Sequence, residues 1–248
     1  MKKILAAALA LLLHGALAAQ HHALRIADTA EYVVDSYLTM LNADGLPKDS
    51  LLVIETLVTV HGSADTTLMR RWYQHPGMFR IEVEHNDYLQ FAIYSNGAGR
   101  YRHFDPHGST WTDITAEQFA HHLAGYDWRG PLYDWRGKGA SLAWNGTTTL
   151  KGQPLQVVQV KGPEMFDRYY MFDPANKLLT LIIETDSDTA SYRRVNPNRI
   201  DWKTIHEYTP VGPTLIPTLE SFMRGGHITF LRSTVRLAPR DERLFNND

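Results

Sequence analysis

The chain is predicted to be mainly β with some helix (α+β): one large antiparallel sheet of about eleven short strands, with an amphipathic helix at its N-terminal end. Three features predict this. Short segments rich in Val, Ile, Leu, Thr and aromatic residues recur along most of the 248 residues, separated by Gly, Pro, Asn and Asp. Helical spacing of apolar residues is sustained only once, between Ala23 and Leu41. A sheet with this many strands curls, and its apolar face needs a filler, which the amphipathic helix supplies.

The N-terminus comes first. Lys2 and Lys3 precede an unbroken apolar run, Ile4 to Leu13, followed by Ala16-Leu17-Ala18. Charge, apolar run and small-x-small site in that order are the pattern of a cleaved signal peptide, residues 1–18, and the run is too short to span a bilayer. Cleavage leaves residues 19–248 as a single domain of 248 − 18 = 230 residues. Of the 25 Lys+Arg and 27 Asp+Glu, two lysines are lost, so the net charge moves from −2 to −4. That balance argues against nucleic acid, which requires a basic footprint. The chain has no cysteine, so it carries neither disulfides nor a lipidated Cys.

In the first helix, Ala27, Ala30, Val33, Val34, Tyr37, Leu38 and Leu41 share a face, and Gly45 is the expected C-terminal cap. Strands follow at Leu51–Val60 and Leu68–Gln74. Next, Phe79, Ile81 and Val83 alternate with Arg80, Glu82 and Glu84, and Leu89, Phe91 and Ile93 alternate in the following strand. Asn96-Gly97 is a hairpin signal. Short strands at Tyr101–Phe104 and from Trp111 come next, then a capping-box-like Thr115-Ala116-Glu117-Gln118 opening a short helix through Leu123. Residues 126–138, dense in Trp, Tyr, Asp, Arg and Gly, read as an irregular surface segment. Strands resume at Ala140–Trp144, with Asn145-Gly146 read as a hairpin turn, and continue at Thr147–Leu150, Leu155–Lys161, Arg168–Phe172, Leu178–Thr185 and Ile200–Tyr208. A Pro/Gly-rich loop is expected from Pro210 to Pro217, then strands near Leu219–Arg224 and His227–Leu237.

No nucleophile elbow, Walker loop, dinucleotide fingerprint or zinc-protease motif is present, so no catalytic residue and no cofactor is assigned. His103, Asp105 and His107 flank a turn, but Pro106 breaks the strand geometry that would bring them to one metal, and no metal site is expected. The aromatic segment at 126–136 offers a stacking platform for sugar as an alternative reading.

Trp72-Tyr73-Gln74-His75-Pro76-Gly77-Met78-Phe79-Arg80-Ile81-Glu82 is a strand, a Pro turn and an aromatic-Arg-apolar-acid strand. With Arg168-Tyr169-Tyr170-Met171-Phe172-Asp173-Pro174 running to Leu178-Leu179, and the closing Asp241-Glu242-Arg243-Leu244-Phe245, it resembles the bacterial periplasmic lipoprotein-sorting carriers, the Lol carrier/receptor superfamily. The resemblance spans most of the mature chain. It implies an incomplete, strongly curved barrel with helices, the internal one included, plugging the open side. It also implies a periplasmic, monomeric, non-enzymatic carrier of lipoprotein acyl chains or lipid, serving lipoprotein-sorting components of the inner and outer membranes. An envelope sensor on the same fold, or a glycan-acting enzyme, is the alternative. A buried methylene contributes about 0.8 kcal/mol, so such a site needs no polar motif. The expected cavity lining is Phe79, Ile81, Val83, Leu89, Phe91, Ile93, Leu181 and Ile183, with Arg80 as the lid contact. The segment at 126–138 has no counterpart in that pattern.

Overall fold

The computed structural model describes residues 29–75, 77–85, 88–95, 98–105, 108–115, 127–162, 165–184 and 201–246. The expected signal peptide, the helix from Thr115 to Leu123, and the turn residues Pro106 and His107 lie outside them, save Thr115.

Helix α1 spans Ala30–Leu41. Thr29 caps it, accepting from the Tyr32 N–H at 3.2 Å. It ends at Asn42, in the left-handed region at φ 48°, and not at Gly45 as expected. Asn tolerates that conformation, and here its amide donates to the Pro213 carbonyl at 3.1 Å.

Thirteen strands follow where about eleven are expected from strand signals alone. They are β1 (Ser50–Val60), β2 (Thr66–Gln74), β3 (Met78–His85), β4 (Tyr88–Ser95), β5 (Ala98–Asp105), β6 (Gly108–Ile114), β7 (Ser141–Leu150), β8 (Gln153–Gly162), β9 (Met165–Phe172), β10 (Leu179–Glu184), β11 (Asp201–Val211), β12 (Thr214–Arg224) and β13 (His227–Pro239). Pairing with a neighbour carries strands through residues of low strand propensity. Asn145-Gly146 is a bulge inside β7, with Gly146 at φ 83°, and not a hairpin turn. The expected loop Pro210–Pro217 is a hairpin whose turn is Gly212-Pro213, and Pro210 and Pro217 lie within strands. Register shifts between Ile205 and Tyr208 accompany Pro217 there, as a residue without an N–H requires.

All thirteen strands form one open sheet, in the order β6-β5-β4-β3-β2-β1-β13-β12-β11-β10-β9-β8-β7. Each strand pairs with its chain neighbours except at two places. β1 pairs with β13 along its full length, from Ser50↔Pro239 to Val60↔Thr229. β6 and β7 do not pair; they are the two edges. The result is a half-barrel, open between β6 and β7. Its concave face is the one covered by α1. There Ala30, Val33, Val34, Tyr37 and Leu41 pack with Val158, Tyr170, Phe172 and Ile182.

A strap of successive turns, residues 127–140, also covers this face. It is irregular as expected, but it is not a surface segment: Trp128, Leu132 and Trp135 are buried. The convex face is closed locally by the C-terminal turn Glu242–Phe245, whose Phe245 packs with Leu51, Val53 and Ile93.

Candidate functional site

The concave face has two halves of different character. Across β7–β11 it is filled: α1, Leu132 and Trp135 occupy it and leave a packed core. Across β1–β3 and β11–β13 it is not. Two cavities lie there, of about 660 Å³ and about 590 Å³. Each is within the ~300–1,000 Å³ range of small-molecule sites.

The inner cavity is walled by Tyr37, Ile54, Val58, Ile205, Phe222 and Leu231. Its floor also carries hydrogen-bonded polar groups. Lys203 pairs with Glu220 at 2.7 Å. Arg71 donates to Thr56 Oγ1 at 3.1 Å, and Thr56 shares a 2.8 Å hydrogen bond with Ser233. The outer cavity is walled by Leu46, Leu52, Tyr73, Phe79, Tyr94 and Trp128, with Lys48, His75 and Arg129 around it.

The strap stays in place through contacts at each end. Asp127 accepts from Arg129 through both carboxylate oxygens, at 2.9 and 2.8 Å. The Arg129 guanidinium lies over the Tyr133 ring at 3.9 Å, and the Tyr133 hydroxyl donates to Asp44 at 2.6 Å. Further along, Arg136 donates to both oxygens of Asp35 on α1, at 3.1 and 2.9 Å, and stacks 4.2 Å from the Trp135 ring. On the sheet side the Tyr73 hydroxyl is hydrogen-bonded to the Trp128 main chain. Burial, opposed by Arg71, pushes that phenol up to about 12.

The expected lining residues do not come together. Tyr73 pairs with Phe79, Arg71 with Ile81 and Met69 with Val83, which puts those three on the concave face. Phe79 borders the outer cavity; Ile81 and Val83 pack beside it. Leu89 and Ile93 occupy register positions opposite Glu84 and Arg80, so they belong to the other face, and Phe91 stands at the register position opposite Glu82. Ile93 there packs under Phe245. Leu181 and Ile183 also lie on the convex side, clustered with Leu155, Val157 and Tyr169, while Ile182 between them faces α1. The reason is parity. His85 pairs with Tyr88, so an odd position on β3 meets an even one on β4, and equal alternation in both strands places the apolar sets on opposite faces.

Arg80 is not a lid contact. It donates to the Leu244 carbonyl at 2.8 Å and to Glu82 at 2.9 Å, holding the C-terminal turn on the convex face. Tyr73, Asp44 and Asp35 are hydrogen-bonded to the strap. Trp128 is absent from the expected cavity lining, although the aromatic-rich stretch that contains it, read as a surface segment or a stacking platform, is its signal in the sequence.

No protein-family model matches the chain, and no curated protein does. Solved structures match its fold. A DUF1329 family protein from Desulfovibrio piger is 10% identical with a TM-score of 0.58, covering 89% of this chain and 98% of its own. A LolA superfamily protein from Nitrosomonas europaea is 11% identical with a TM-score of 0.55, covering 89% and 98%. A Vibrio parahaemolyticus domain provisionally assigned as an outer membrane lipoprotein-sorting protein is 11% identical with a TM-score of 0.54, covering 86% and 97%. The fold is thus Lol carrier-like.

Proposed function

We propose that this chain is a non-enzymatic carrier or binder of a hydrophobic ligand, lipid or the acyl chains of a lipoprotein, working outside the cytoplasm in the periplasm. The observation that carries this reading is the unfilled half of the concave face. A half-barrel either packs its apolar face or leaves space, and here one half is packed by α1 while the other holds two cavities, the outer mainly apolar and the inner with apolar walls beside charged groups. Burying hydrocarbon there yields roughly 0.8 kcal/mol per methylene. The signal-peptide pattern at residues 1–18 supports the compartment, and the Lol carrier-like fold supports the class of cargo. Lipoprotein-sorting components of the two membranes are the partners this reading proposes, with the chain acting as a monomer.

Native mass spectrometry of the protein purified from bacterial envelopes, followed by organic extraction, tests it. Co-purifying acyl lipid is expected, and Phe222→Asp, at the half-buried cavity wall, should lower its occupancy at least tenfold while the circular dichroism spectrum stays unchanged. A clean apo mass together with no uptake of added fatty acid would remove the carrier reading.

A further inference from the structure

The two cavities meet at one place. Asp127 and Trp128 border both; the remaining walls are separate. They also lie end to end along the same strands. On β1, Ser50 and Leu52 border the outer cavity and Ile54, Thr56 and Val58 the inner one. On β2, Tyr73 borders the outer and Arg71 and Met69 the inner. Trp128 therefore stands across the middle of one trough, packed with Leu52, Ile54 and Ile216 and 8% exposed. Its main chain is held by Tyr73, and its neighbours by the Asp127–Arg129 pair.

Length then selects the ligand. At about 3.4 Å per residue, Ser50 to Val58 runs on the order of 27 Å. One leaflet of a bilayer, half of a ~30 Å hydrocarbon core, holds chains extending about 15 Å. Each side of Trp128 thus matches roughly one such chain. Charge selects its head. Lys48, His75 and Arg129 border the outer cavity, where Asp127 is engaged by Arg129 and Asp44 by Tyr133. Arg71, Lys203 and Arg224 border the inner one against Asp127 and Glu220, with Lys203 paired to Glu220 at 2.7 Å.

We propose, resting on the carrier reading above, that the trough is two binding sites divided by Trp128, each taking one hydrocarbon chain with an anionic head at its own mouth. Trp128 sets the specificity: it admits chains of leaflet length on each side and stops a longer one from threading through.

The test is titration of the full chain with hexadecanoate, read by native mass spectrometry. Wild type should saturate at two ligands. Leu46→Trp should abolish the outer one alone, Leu231→Trp the inner one alone, and the double variant both. Saturation at one ligand, weakened by either variant, means one continuous site and overturns the division. Two ligands insensitive to both variants place binding elsewhere and overturn it too. No uptake at all by wild type instead removes the carrier reading, and the division with it. Should a variant fail to fold by circular dichroism, the wild-type stoichiometry still decides between two sites and one.

Discussion

The tyrosines Tyr37 and Tyr170 are buried to 3% and 0% exposure between α1 and the sheet. Tyr208 joins them: its hydroxyl donates to the Leu179 carbonyl at 2.9 Å and shares a hydrogen bond with Tyr37. Burial disfavours the phenolate, so Tyr170 is pushed up to about 12 against the opposing pull of Arg168, and Tyr37 and Tyr208 are raised further. Each folded pKa lies above the ordinary tyrosine value of about 10. Below that value both folded and unfolded chains keep the proton, and the stabilisation is whole. Above it the unfolded chain ionises first, and stability falls as pH rises through the folded values. The expected slope is about 1.4 kcal/mol per pH unit for each such tyrosine. Guanidinium unfolding across this alkaline range should show it, and Tyr170→Phe should make the fall shallower; an unchanged slope would contradict the assignment. Helical spacing in the sequence marks Tyr37 as apolar-facing. That its hydroxyl meets Tyr208, more than a hundred positions away in the chain, is not legible there.

Among the elements, the strap is the one whose role the residues least announce. Its turns are local: Gly130 N–H bonds the Asp127 carbonyl at 3.0 Å, with Gly130 at φ 77°, and Ala140 N–H bonds the Trp135 carbonyl at 3.0 Å. Its burial is not local, since Trp128 and Trp135 enter different clusters of the concave face. Arg136 is its tie to α1 but is solvated, so that pair contributes little to global stability. Arg136→Ala should therefore leave the melting temperature unchanged while speeding amide exchange across residues 132–140. Equal exchange in the two proteins would mean Trp135 and Leu132 hold the strap unaided. The same contrast governs the Pro/Gly stretch at 210–217. Composition reads it as a loop, but the pairs Pro210↔Leu215 and Val211↔Thr214 make it a hairpin.

For the whole molecule, the seam between β1 and β13 matters most. It joins the first strand to the last along eleven residue pairs and places both at the centre of the sheet. Closing it brings together segments at opposite ends of the chain, whose loop-closure entropy opposes folding, and refolding should be slow. Truncation after Arg224 removes β13 and strips β1 of one partner. That chain should show no cooperative unfolding transition by denaturant titration. A cooperative transition would show that β1–β6 and β7–β12 fold as separate units.

The sequence determined the period of each element. Alternation marked the strands, one helical stripe marked α1, and the resemblance along three segments indicated a curved, open sheet. These are readable because side-chain periodicity is a local property of the backbone. Tertiary structure alone decided which face each strand turns inward. Register is set between strands, and a shift of one residue exchanges the faces without altering the pattern. It is why Phe79 borders the trough and Ile93 does not. The same reason makes Trp128 the divider of the cavity: its position depends on the sheet it lies across, 55 residues from Tyr73 in sequence and in hydrogen-bonding contact with it in the fold.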